Sequence, residues 1–190
     1  MTNRSNSWRL VTLALGAVFA IAGCGPSNDG DPKPTGNAPT SSSGVAADVP
    51  TGFDPCKDIP QSVLDSEKLH GQDKADSNAS GGIKWRGCSW VQSDGYAGSI
   101  QTTNITLDAV RAKKFPDANE FTINGRKAIS TRQVDSHPEA ACTLNVEMKG
   151  GSLEFNLSNP PSNRNTGQLN TCDLTRTLAE KVVPTLPATA

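Results

Sequence analysis

Four cysteines, Cys56, Cys88, Cys142 and Cys172, punctuate the chain after its first fifty residues, and they constrain its fold more than any other feature. Their spacings of 32, 54 and 30 residues contain no Cys-x-x-Cys, so neither a zinc knuckle nor a thioredoxin-type redox pair is indicated. An even set of cysteines is a disulfide framework when the chain leaves the reducing cytosol, and four cysteines allow three connectivities. Whether the chain leaves the cytosol is therefore the first question.

The N-terminus answers it. Arg4 and Arg9 lie among nine residues without an acid, and an apolar run of twelve residues, Leu10–Ile21, follows them. A basic start, an apolar core of about 7–15 residues and a small-residue exit is the order of an export signal. The run is too short for a spanning helix, which needs about 20 apolar residues. Ile21-Ala22-Gly23-Cys24 resembles the lipobox, in which a cysteine after a branched apolar and two small residues is lipidated and becomes the mature N-terminus. The resemblance implies a diacylglycerol thioether on Cys24. Residues 1–23 then form a signal peptide, and the mature chain is held at the extracytoplasmic face of the cell membrane.

Residues 24–52 comprise that cysteine and a stretch of Pro, Gly, Ser, Thr, Asn and Asp with almost no large apolar side chain. Such a composition cannot bury enough surface to offset chain entropy, so it is expected to remain a disordered tether, stiffened by its prolines and loosened by its glycines. Residues 53–190, 138 in number, form one domain of ordinary size. Its 15 basic and 16 acidic residues give a net charge of −1, with no basic stripe for nucleic acid.

Within that domain Asp58–Leu69 reads as a short helix capped by Asp58, with Gln61 completing a capping box and Gly71 at its end. Residues 72–82 read as loop. Strands are expected at Ile83–Gln92 and Ser99–Leu107, then a helical crossover at Leu107–Phe115. Glu120–Ile123 and Arg126–Val134 flank Asn124-Gly125, the dipeptide of a type I′ hairpin. Cys142, Leu144, Val146 and Met148 alternate with polar residues, Gly150-Gly151 turns the chain, and Leu153, Phe155 and Leu157 alternate again, the signature of antiparallel strands with one face in a core. A last helix is expected from about Thr171 to Val183, capped by Asn170 or Thr171, with Leu174, Leu178 and Val182 as its apolar stripe. The fold class is α+β: an antiparallel sheet of five or six strands with N- and C-terminal helices packed on it and two disulfides.

Several of these residues recur together. Phe53-Asp54-Pro55-Cys56, Gly87-Cys88-Ser89-Trp90, Ile123-Asn124-Gly125-Arg126, Cys142-Thr143-Leu144-Asn145-Val146 and Cys172-Asp173-Leu174 stand in an order that resembles a family of actinobacterial and mycobacterial lipoproteins, domain of unknown function 3558 (LprB/LprC-like). The resemblance covers residues 53–190 and rests most on the cysteine set with Gly-Cys-x-Trp. It implies an envelope lipoprotein and carries no catalytic residues.

No common hydrolase, nucleotide or cofactor signature occurs. His70 and His137 fall in expected loops without ligand spacing, and Asp65/Glu67 and Asp73/Asp76 read as solvated charges rather than acid–base pairs. Trp85 and Trp90 have opposite parity in one strand, which sends one inward and one outward unless Gly87 seats a bulge. Trp90 is expected in the core beside a disulfide, and Trp85 is the single candidate for a ligand or partner surface. Arg126, after its turn, is expected to be exposed. Three functions remain, in order: a non-catalytic binding module for an envelope lipid, glycan or protein; a structural or assembly accessory; and an enzyme.

The disulfides are expected to pair Cys56 with Cys88 and Cys142 with Cys172. Loop entropy does not choose among the connectivities, because longer loops gain slightly more in that model; the choice rests on elements adjacent in sequence being usually adjacent in space. The anchor yields the first prediction. The mature protein begins at Cys24 and partitions into detergent, since two acyl chains suffice for stable attachment, and Cys24→Ser releases it or leaves the precursor uncut. Mass spectrometry of the mature N-terminus checks this; an unmodified N-terminus further along the chain would refute it.

Overall fold

The computed structural model describes residues 44–190, so the expected signal peptide, Cys24 and residues 25–43 lie outside the described residues. Its clearest element is the hairpin that alternation marks most plainly: β7 (Ala141–Met148) and β8 (Gly151–Ser158) pair with Leu144 opposite Phe155 and Val146 opposite Leu153. The turn falls on Lys149-Gly150, and Gly151 already pairs with Met148. A second hairpin joins β5 (Asn119–Ile123) to β6 (Arg126–Thr131), with φ of 47° at Asn124 and 79° at Gly125, the left-handed pair that a type I′ turn demands. A third joins β3 (Lys84–Gln92) to β4 (Ala97–Thr103).

Two further strands, β1 (Leu69–Lys74) and β2 (Ser77–Asn78), pair with the outer side of β3. The sheet therefore has eight strands, not five or six, in the order β1-β3-β4-β8-β7-β6-β5 with β2 beside β3, every pairing antiparallel. The two additional strands fall in the stretch expected to be helix end and loop. Apart from Leu69 their residues are exposed on both faces, and a strand solvated on both sides carries no alternation to betray it.

The N-terminal helix also departs from expectation. Two short helices, α1 (Pro55–Asp58) and α2 (Gln61–Ser66), replace one, because Pro60 has no N–H to continue the ladder. Asp54, not Asp58, caps α1, its Oδ1 accepting the Cys56 N–H at 3.0 Å with Pro55 in the first turn. Gln61 closes no capping box; its Nε2 donates to Asp65 Oδ1 at 2.8 Å. The crossover α3 (Leu107–Lys113) is capped by Thr106. The closing helix α4 (Thr171–Val182) is capped by Asn170, whose Oδ1 accepts from Cys172 N and Asp173 N.

One face of the sheet is apolar. Cys88, Trp90, Ile100, Phe155 and Leu144, contributed by four adjacent strands, are buried beneath α1, α2 and α4 together with Leu178, Ala179 and Val182 of α4. Full burial of each large side chain contributes about 1.5–3 kcal/mol. Both disulfides lie on this side. Cys56 of α1 bonds to Cys88 of β3 and Cys142 of β7 bonds to Cys172 of α4, with Cα atoms 5.3 and 5.1 Å apart. Glu67, just after α2, adds a polar tie between helices: it accepts from Tyr96 Oη at 2.8 Å and from Lys181 Nζ of α4.

The last part of the expected tether packs on the domain, so Phe53 is not its boundary. Val45 bridges Ile105, Ala46 N donates to Asn104 O at 2.9 Å, and the Gly44 carbonyl accepts from both Thr106 N and Thr106 Oγ1. Asn104 is fully buried and ties three segments, donating to Ala46 O and Gly82 O while accepting from Lys84 N. Composition alone misreads residues 44–52 because their bonds are made by backbone, which every residue carries. A chain beginning at Phe53 is accordingly expected to melt on the order of 10 °C below one beginning at Gly44, from a few lost hydrogen bonds at about 1 kcal/mol each. Equal melting temperatures by circular dichroism would refute this.

Candidate functional site

The opposite face of the sheet carries a buried polar row. The register sets Gly87, Gln101, Glu154, Asn145 and Ile129 side by side across β3, β4, β8, β7 and β6. Gln101 is 8% exposed, Glu154 7% and Asn145 0%. Over β6 and β7 this face is covered by α3, with Leu107 and Val110 packed on Ile129. Between α3 and the part of the sheet nearer β3, a cavity of about 850 Å³ opens. Gln101, Glu154 and Asn145 floor it, while Trp85, Ile105, Val110 and Phe115 supply apolar wall.

Glu154 is the centre of the floor. Trp85 Nε1 donates to its Oε1 at 3.1 Å and Asn145 Nδ2 donates to its Oε2 at 3.0 Å. Burial raises its carboxyl well above the ordinary glutamate range, and the hydrogen bonds from Asn145 and Trp85 pull the other way. Among the described residues no cation pairs with it. Asn145 also donates to Ser152 Oγ, and Ser152 donates onward to Ile105 O at 2.7 Å, which holds the amide in place. Asn145 Oδ1 is buried and accepts nothing from any described residue. Gln101 is held by the Ser99 hydroxyl at its Oε1 and by the Ala75 carbonyl at its Nε2.

Gly87 explains part of this geometry. A Cβ there would lie 2.2 Å from the Ile100 carbonyl oxygen and 2.8 Å from Gln101 Cα, so the backbone approach of β3 to β4 admits only glycine. The glycine seats no bulge, for the pairing of β3 with β4 runs without a shift from Trp85 opposite Thr103 to Val91 opposite Ala97. The two tryptophans consequently keep opposite faces. Trp90 is buried in the apolar core with Cys88, and Trp85 is half-buried in the wall of the cavity.

The other residues singled out by sequence lie elsewhere. His70 Nε2 is 2.8 Å from Ser93 Oγ, and His137 Nδ1 is 3.5 Å from Glu139. Asp76 accepts from Gly87 N and pairs with Lys74; Asp65 bonds Gln61; neither belongs to the cavity. Arg126 is not simply exposed: it donates to the carbonyls of Glu147, Pro187 and Ala190 and so straps the end of the described chain to the β5–β6 turn. Sequence reasoning missed Gln101, Asn145 and Glu154, which alternation assigns to a water-facing side. The available signal is chemical, since the outward positions through the middle of β4, β7 and β8 (Ser99, Gln101, Thr143, Asn145 and Ser152) are neutral, with Glu154 the one charge among them, where solvent-facing strands usually carry more.

A family model described as protein of unknown function (DUF3558) matches residues 19–185. No curated protein and no solved structure matches the chain.

The raised carboxyl of Glu154 makes stability depend on pH with a definite sign. The folded state holds its proton more tightly than the unfolded chain, whose glutamate titrates near 4.5. That contribution is present below this value and is lost as the pH rises toward the folded one. Glu154→Gln, which cannot ionise, should lose stability from a mispaired donor at every pH. Its stability relative to the wild type should climb from about pH 4.5 upward, with a slope approaching 1.4 kcal/mol per pH unit. Urea titrations of both proteins over that range measure the slope, and parallel profiles would show that Glu154 ionises freely.

Proposed function

The chain belongs to this family of proteins of unknown function, and on that premise we propose that it is an envelope lipoprotein, anchored through lipid on Cys24, whose domain is a non-catalytic binding module. The observation that carries the reading is the cavity between α3 and the polar face of the sheet, floored by Glu154 and Asn145 and walled by Trp85. Its volume of about 850 Å³ lies within the range of ligand pockets, roughly 300–1,000 Å³. Its make-up, apolar walls around a few convergent polar groups fixed by neighbours, is that of a recognition site.

Binding fits the floor better than catalysis. Glu154 is the one carboxylate among the described lining residues, whereas acid–base hydrolysis of a glycosidic bond ordinarily uses a pair of them. A tether of some twenty residues between Cys24 and Gly44 would hold the cavity clear of the headgroups while keeping it at the membrane.

Native mass spectrometry of the full lipidated protein, extracted from its own envelope in mild detergent, tests the proposal. A bound mass beyond the anchor is expected on the wild type and is expected to fall at least tenfold in occupancy on Trp85→Ala, with the circular dichroism spectrum unchanged. No bound mass, or equal occupancy in both proteins, would overturn it.

A further inference from the structure

The chemistry of the floor restricts what the cavity takes. We infer that its ligand is a neutral, polyhydroxylated molecule, a saccharide unit, stacked on Trp85 with its hydroxyls on Glu154, Asn145 and Gln101. This rests on the proposed binding role and names its ligand class.

Charge is the first argument. The described lining holds one acid, Glu154, on its floor and one base, Lys113, at its exposed edge, so no cation faces a ligand on the floor and no cluster of like charges selects an ion. Glu154 is deep in the floor and Lys113 is exposed at the rim. An anionic group on the floor would find no cation to pair with there, at a cost that grows with burial. Burial favours the protonated form of Glu154, which both donates and accepts, as a hydroxyl partner requires.

The second argument is the density of neutral hydrogen-bonding groups. Gln101, Asn145, Asn156 and Gln133 bring four carboxamides to one cavity. The exposed Asn156 and Gln133 add donors as well as acceptors. Asn145 and Gln101 commit amide hydrogens to Glu154, Ser152 and Ala75 and so present chiefly carbonyl oxygens, acceptors for ring hydroxyls. The buried Asn145 Oδ1, accepting nothing from the described residues, is an acceptor ready for one of them. An acyl chain laid on this floor would strip water from these groups and return no hydrogen bond.

Shape is the third. Trp85 and Phe115 present aromatic carbon beside the polar floor, so a ligand must be apolar on one face and polar at its edge. A sugar ring has C–H faces and a hydroxyl rim. Trp85 is oriented for this, because the bond from its Nε1 to Glu154 fixes the indole against the floor.

The test uses the full lipidated protein in phospholipid nanodiscs, so that no sugar-based detergent competes. It is screened against immobilised neutral di- to tetrasaccharides, their uronic-acid analogues, and palmitate and dodecylamine in solution, with calorimetry on whatever binds. Expected is binding of at least one neutral saccharide, weakened tenfold or more by Trp85→Ala, retained better by Trp85→Phe, and tenfold weaker for the uronic-acid analogue. Palmitate or dodecylamine binding with the same Trp85 dependence, and no saccharide binding, would keep the binding module and overturn the saccharide. Saccharide binding indifferent to Trp85 would also overturn the assignment. No binding by any probe overturns the saccharide class, and the mass-spectrometric occupancy then decides the binding role separately.

Discussion

The pairing of β4 with β8 is the constraint on which the rest of the molecule depends. It places Ile100 opposite Phe155 and Gln101 opposite Glu154, joining two parts of the chain 55 positions apart in the first pair. Every other strand pairing joins strands that are close in the chain, through hairpins or short connections, and each half already has its own disulfide. This one makes a single sheet of them. Closing so long a loop is opposed by chain entropy, and its reward comes only when both faces of the sheet are covered, by the helices on one side and α3 on the other.

The register of that pairing decides which chemistry lies on which face. A slip of one residue would turn Glu154 into the apolar core and Phe155 into the cavity, and a carboxylate without a partner in the core costs several kcal/mol. The difference between the two faces is therefore itself a lock on the register. The apolar face gains by burial under α4, and the Glu154 carboxyl on the polar face is held by bonds from Asn145 in its own row and from Trp85. A core that was apolar on both sides would tolerate the slip better and hold no site.

Much of the scaffold was legible in the residues. The β7–β8 hairpin, the Asn124-Gly125 turn, the crossover α3 and the capped helix α4 each follow from a short-range rule, alternation, left-handed turn residues or an apolar stripe, that needs no knowledge of the rest of the chain. Strands β1 and β2 were not legible, because a solvated edge strand is held by backbone bonds to β3 and shows no pattern in its side chains. The cap of α1 was misplaced by four residues because a second acceptable capping residue, Asp54, precedes Pro55, and proline at the first helical position settles the competition. For the site, Trp85 was identified by its parity to Trp90, whereas Glu154, Asn145 and Gln101 were hidden in positions that alternation gives to solvent.

Local sequence thus determined the hairpins, the crossover α3, the closing helix α4 and the separation of an apolar from a polar face along the central strands. These depend on neighbours within one or two turns of chain. Only the tertiary structure decided that the polar face is not solvent. That follows from α3 crossing over it and from residues 44–52 returning to its edge, contacts between segments tens of residues apart. Alternation reports which side of a strand a residue takes; it carries no information on whether that side is covered, and the cavity around Glu154 exists because it is.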